Sequence, residues 1–148
     1  MNELVSLRRS TGFVGALLVF IGLLTGGFAA FAMTGKVAFD GHSVLAAHLN
    51  AMLGGLWVVA LATTLPMLRY SQAGLKRLVV VTVVPNVANW AITLLKAGWR
   101  VLGIERSGES SNDVVFGLLT VFVVAPSIVA AAAWAWGFLG PVPSGREG

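Results

Sequence analysis

The chain has 148 residues, 57% of them hydrophobic and 11% charged, with a formal net charge of +4. A soluble globular domain carries about 25% charged residues, so this composition excludes that class and leaves no room for a separate soluble domain. The absence of cysteine excludes disulfides, iron–sulfur clusters and thiolate chemistry, and ten basic residues with no cluster beyond a pair argue against nucleic-acid binding.

A bilayer-spanning helix needs about 20 consecutive apolar residues. Four stretches meet that length: Thr11 to Met33, Ser43 to Leu68, Leu78 to Leu95 and Val114 to Phe138, none containing Asp, Glu, Lys or Arg. The expected fold is therefore all-α, an integral membrane bundle of four transmembrane helices in one domain over residues 1–148, with a flexible tail at 139–148. The first stretch follows Arg8 and Arg9 as a signal peptide would, but its apolar run is too long for a signal core, so it reads as a retained helix. Six basic residues (Arg8, Arg9, Arg69, Lys76, Arg77, Arg146) fall on one side of the four spans and four (Lys36, Lys96, Arg100, Arg106) on the other. The positive-inside rule then puts both termini in the cytoplasm, as expected for a multi-pass protein of a bacterial inner membrane in contact with the lipid bilayer.

Helix two carries the most informative residue, His48. An ionisable side chain at membrane depth is costly and usually marks a ligand, a proton path or a cofactor, and imidazole is the commonest protein ligand for metals and haem iron. At 3.6 residues per turn, His48, Met52 and Gly55 share one face. Gly54 and Gly55 leave the helix surface recessed there, open either to a flat prosthetic group or to a neighbouring helix. His42 precedes Ser43 at the mouth of the helix, beside Asp40 and Gly41, and reads as a solvated or capping residue.

Helix three bears a polar stripe. Thr82, Asn86, Asn89 and Thr93 are spaced by four, three and four, so all point one way. Pro85 removes a backbone donor and frees a carbonyl beside Asn86. The asparagines either bond helix to helix or line a cavity and position a polar substrate atom. The connection from Lys96 to Asp113 is the one long loop, rich in glycine and serine. It reads as an unstructured connector or a lid, with Ser110, Ser111, Asn112 or Asp113 available to cap the fourth helix.

From His48 onward the chain resembles the styrene oxide isomerase family. The shared pattern is His48, five residues, a small or polar position at Gly54, Gly55, an apolar run, then Leu65-Pro66-Met67-Leu68, with Asn89 matching an asparagine of helix three. The element Ala88-Asn89-Trp90, followed by Leu94, Leu95 and Ala97, is similar to the hydroxylaminobenzene mutases, a sister branch. The resemblance implies a trimer of four-helix subunits and a membrane-bound isomerase of a small aromatic substrate. It also implies ferric haem b, with His48 as the axial ligand to iron; Met52 and Gly55, which share the His48 face by helical spacing, are then expected on the cofactor side. The open iron face would act as a Lewis acid, converting an aryl epoxide to an aldehyde or an N-aryl hydroxylamine to an aminophenol; Asn89 is the matched residue, and with Asn86 and Thr93 of its own stripe it is expected to form a differently arranged catalytic wall. The chain departs from the isomerase pattern where a catalytic asparagine falls at Gly54, an aspartate at Pro85 and a tyrosine at Thr93. Asn50, two positions from His48, cannot replace an asparagine six positions away on the same face. The alternative is a non-enzymatic membrane subunit or anchor, which needs only the helices and leaves His48 unexplained. A transporter would want a carboxylate in the bilayer.

Overall fold

The computed structural model describes residues 3–141. It is helical throughout its regular elements. α1 runs Glu3–Met33, α2 Gly41–Thr64 with a 3-10 turn at Leu65–Met67, and α3 Gln72–Trp99. The fourth span is built in three pieces: α4 (Ser110–Leu119), a π turn (Thr120–Val124) and α5 (Ala125–Gly137). Four helical segments are thus long and apolar enough to cross a membrane, and the fold is the expected four-helix membrane bundle. All but the first three residues of the expected flexible tail lie outside the described residues.

Several helices begin or end beyond the apolar stretches that predict them. α1 starts eight residues before Thr11, so Arg8 and Arg9 are helical. An apolar window marks the hydrocarbon layer, whereas a helix continues through the headgroup region, some 5–7 Å on either side. The same effect shortens the long loop to ten residues, 100–109. That loop is not structureless. Asn112, buried, accepts from the Gly103 N–H at 2.7 Å and donates to the Glu105 carbonyl at 2.7 Å, and Asp113 accepts from the Ser107 N–H at 2.8 Å. None of the four expected caps serves the helix, because Glu109 occupies the N-cap position without a side-chain bond. Asn112 and Asp113 lie in the first turn and spend their oxygens on the loop.

Along α1 the inner face is built mainly of small residues, whereas the core at the end of α2 and the start of α3 is leucine-rich (Leu61, Leu65, Leu68, Leu75). The buried residues of α1 include Thr11, Gly15, Leu18, Gly22, Thr25, Ala29 and Ala32, alternately four and three apart, while Phe13, Phe20, Leu23 and Leu24 face outward. Lipid tails are as apolar as leucine, so large side chains gain nothing by turning inward, and small ones let backbones approach. The 3.5-residue spacing is that of a left-handed seam, and α2 packs into it. α3 lies on α2 and touches α1 more lightly, and the fourth span rests on α3.

Two prolines are accommodated differently. α3 runs unbroken through buried Pro85. Ahead of Pro126, which has no N–H to return to Phe122, the Ala125 N–H donates to the Thr120 carbonyl five residues back. That bond closes the π turn.

Candidate functional site

His48 sits about 10 Å along α2 from its Gly41 end, given 1.5 Å per residue. Its half-buried ring lies in the α1–α2 seam, where Nδ1 is 2.7 Å from the Gly22 carbonyl oxygen. A carbonyl only accepts, so Nδ1 carries the proton and the Nε2 lone pair is left for another partner. Among the described residues Nε2 has none, and it is not a buried orphan atom. Gly26 makes this placement possible: a Cβ there would lie 2.9 Å from His48 Cε1 and Nδ1. The glycine of α1 is the floor on which the imidazole rests.

Met52 and Gly55 follow His48 along the same face but meet α1 rather than open space. A Cβ on Gly22 would come within 3.1 Å of Met52 Cγ, and one on Gly55 within 2.6 Å of Val19 Cγ2 and 2.7 Å of the Gly15 carbonyl oxygen. The recess at Gly55 is therefore filled by α1 within the chain. Gly54 is filled from the other side, where a Cβ would meet Asn86 Oδ1 at 2.6 Å.

The polar stripe of α3 turns toward α2 and divides into two parts. Thr82 and Asn86 are buried and bond within their own helix, Thr82 Oγ1 to the Leu78 carbonyl at 2.8 Å and Asn86 Nδ2 to the Thr82 carbonyl at 2.8 Å. One turn further, Asn89 and Thr93 meet Asn50 of α2. Asn50 Nδ2 donates to Asn89 Oδ1 and to Thr93 Oγ1, both at 3.1 Å. Both amide hydrogens of Asn50 are spent in this way, while Asn50 Oδ1 and Asn89 Nδ2 have no partner among the described residues. The cluster thus offers one acceptor and one donor group. Asn50 joins the site as a residue that its two-position offset from His48 had excluded. The cue was there: an asparagine in a span without charges needs a partner, and Asn89 and Thr93 were the polar groups at a similar depth.

Two residues are about 200° around a helix, so His48 and Asn50 occupy opposite sides of α2. Between them lies an outward strip of Leu49, Leu53 and Leu56, 49%, 66% and 55% exposed. Asn86 lies with neither group. His42 is exposed at the loop end, in a cavity of about 610 Å³ shared with Asp40, Lys96 and Arg100. Asp40 caps α2 through the Ser43 N–H at 2.8 Å, and its bonds to Ser43 hold its carboxyl below the ordinary value. Among the described residues, no three His, Asp or Glu side chains gather into a metal-binding cluster. His48 alone suits only a metal that arrives with most of its own ligands, as a porphyrin iron does.

Residues 7–139 match the styrene oxide isomerase family. The chain belongs to that family. It is also 28% identical over 131 residues to the hydroxylaminobenzene mutase HabB of Ectopseudomonas oleovorans, an alignment covering 84% of this chain and 76% of the mutase. No solved structure matches it. Family membership makes the chain a membrane-embedded isomerase or mutase acting on a small molecule, and sets aside the non-catalytic anchor.

Proposed function

We propose that the chain is a haem-dependent isomerase that rearranges an N-aryl hydroxylamine to an aminophenol, working as a homotrimer. The observation that carries the proposal is the His48 ring, held by the Gly22 carbonyl at Nδ1 with Nε2 left without a partner among the described residues. Proximal ligands are prepared in this way: a carbonyl fixes the tautomer and orientation, and the second nitrogen meets the iron. His48 would hold the group, while Met52, packed on Gly22 of α1, helps to fix the helix that carries it. When bound, haem supplies a Lewis-acidic iron able to draw electron density from the substrate's N–O oxygen.

The rest of the chemistry falls to the chain. An N-aryl hydroxylamine has N–H and O–H donors and an oxygen acceptor. Asn89 Nδ2 can donate to its oxygen while Asn50 Oδ1 accepts from its N–H or O–H. Thr93 keeps the Asn50 amide turned so that its oxygen faces the substrate. The apolar walls of the bundle exclude water while positive charge develops on the arene. The N–O bond breaks, a C–O bond forms on the ring, and the ring proton displaced there is replaced by one gained at nitrogen, so product and substrate are isomers and no reductant is consumed. The mutase relative favours this substrate over an aryl epoxide, as does the absence of an asparagine at 54, an aspartate at 85 and a tyrosine at 93.

Support for the oligomer comes from the position of the two groups. A substrate touching both the His48 edge and the Asn50–Asn89–Thr93 cluster needs two copies of α2, one offering each side. The exposed leucine strip between them is the face that a second copy would cover in a head-to-tail ring. We place this assembly in a bacterial inner membrane with both termini cytoplasmic, from the basic-residue asymmetry of the loops.

Detergent-purified protein should show a Soret band that His48→Ala removes and His42→Ala keeps. It should convert phenylhydroxylamine without NAD(P)H, and styrene oxide slowly or not at all. A colourless wild type at full occupancy, or His48→Ala converting phenylhydroxylamine at the wild-type rate, would overturn the reading.

A further inference from the structure

The end of the bundle opposite the catalytic groups carries two shallow grooves that nothing in the isomerase reading uses. One, of about 480 Å³, lies between α3 and the fourth span, with Pro85 and Pro126 at its far end and Lys76 and Arg77 at its rim. The other, of about 180 Å³, lies between α3 and α1. Val80 and Val84 line both, so they form a ridge with a groove on either side. Both are walled by carbon. The hydroxyls of Ser10 and Thr11, on the smaller groove, are spent on the Leu7 carbonyl at 3.0 and 2.7 Å.

Charge and depth describe the occupant. Lys76 pairs with Glu3 at 3.3 Å. Arg77 is exposed and has no hydrogen-bond or ion-pair partner among the described residues. From Arg77 to Pro85 the helix rises about 12 Å, against roughly 15 Å for the hydrocarbon of one leaflet. A cation at headgroup level above two leaflet-deep apolar grooves, parted by one valine ridge, is complementary to an anion joined to two chains. The geometry points to a binding site for an anionic diacyl phospholipid, its headgroup on Arg77 and one acyl chain on each side of Val80 and Val84. A zwitterionic lipid would fill the grooves equally well, but its headgroup cation offsets the attraction between its phosphate and Arg77. The site therefore selects by headgroup.

The test uses the full-length protein in detergent, offered equal amounts of phosphatidylglycerol and phosphatidylcholine with identical chains, and native mass spectrometry of the retained lipid. Wild type should retain phosphatidylglycerol preferentially. Arg77→Gln should reduce that preference about fivefold, the effect of one basic residue near an anionic lipid surface. Arg106→Gln, the same change of net charge in the 100–109 loop, should leave it unaltered. Val84→Phe, which thickens the ridge into both grooves, should lower retention with Arg77 intact and the helical circular dichroism unchanged. Equal retention of the two lipids by wild type overturns the assignment, as does an Arg106→Gln effect equal to that of Arg77→Gln. So does a Val84→Cys variant shielded from a lipid-soluble maleimide by a second copy of the chain.

Discussion

Gly26→Ala and Gly27→Ala add the same methyl to neighbouring positions of α1, and only the first should destabilise the protein. Replacing a helix-interior glycine by alanine gains up to about 1 kcal/mol by reducing the entropy of the unfolded chain. At Gly27 nothing lies within 4 Å of the new carbon, so that gain stands. At Gly26 the methyl would sit 2.9 Å from two ring atoms of His48, well inside the usual contact of about 3.5–4.0 Å. The ring cannot retreat without stretching its 2.7 Å bond to the Gly22 carbonyl, worth about 1 kcal/mol net, and overpacking costs about 1–3 kcal/mol more. After the entropic gain is subtracted, Gly26→Ala should lie about 1–3 kcal/mol below wild type, and Gly27→Ala level with it or slightly above. Reversible unfolding in mixed detergent, followed by circular dichroism, measures the difference. Nitrogen-15 spectra of labelled histidine supply a local readout: the Nδ1–H tautomer should dominate at His48 in wild type and Gly27→Ala, and give way to a mixture in Gly26→Ala. Equal stability of the two variants with an unchanged tautomer would refute the claim that Gly26 is the floor of the His48 site.

Asn50→Ala and Asn89→Ala should each slow turnover at least tenfold while leaving the Soret band in place, and a double-mutant cycle on stability should return a coupling of about 0.6–1.7 kcal/mol, the range for bonds between membrane helices. Additive effects would mean that the 3.1 Å contact contributes nothing. Asp40→Ala should cost about 1 kcal/mol near pH 7 through the lost N-cap. Because the folded-state pKa of Asp40 is depressed, that contribution is full above its unfolded value and is lost as pH falls through the folded one, so the wild-type advantage should vanish in acid. An advantage that grows as pH falls would contradict the cap. Reporter fusions after Gly148 and within the 100–109 loop should report opposite sides of the membrane, and identical signals would refute the topology.

The architecture was legible because the bilayer imposes it: a run such as Thr11 to Met33, free of charge and longer than about 20 residues, has few other outcomes. His48 and Asn89 were legible as well, since a polar group in such a run needs a reason to be there. Partners across helices were not. Periodicity places Asn89 and Thr93 on one face of α3 but carries no information on the rotation of α2 against it, and that rotation brings in Asn50. Glycines were ambiguous for a related reason. Gly55 and Gly26 both allow close approach, yet only the crossing of α1 and α2 decides that Gly55 admits a backbone and Gly26 an imidazole. The loop was misread because Asn112, which folds it, looks in sequence like a helix cap.

That crossing also explains how so small a chain can hold a site. The seam residues Gly15, Gly22 and Gly26 of α1 sit at intervals of seven and four, the spacing that keeps one face of a helix against a left-handed partner. Gly15 brings the backbones together at Gly55, Gly22 supplies the carbonyl that His48 needs, and Gly26 leaves the volume that its ring fills. Packing and the placement of the imidazole are thus performed by one stripe of residues. Leucines on the outer face of α1, such as Leu23 and Leu24, are exposed and take no part in the seam. A methyl group added at Gly15 or Gly22 meets the backbone of α2, and one added at Gly26 meets the His48 ring itself. The stability of the α1–α2 pair and the orientation of His48 should therefore fall together in any series of substitutions along the seam.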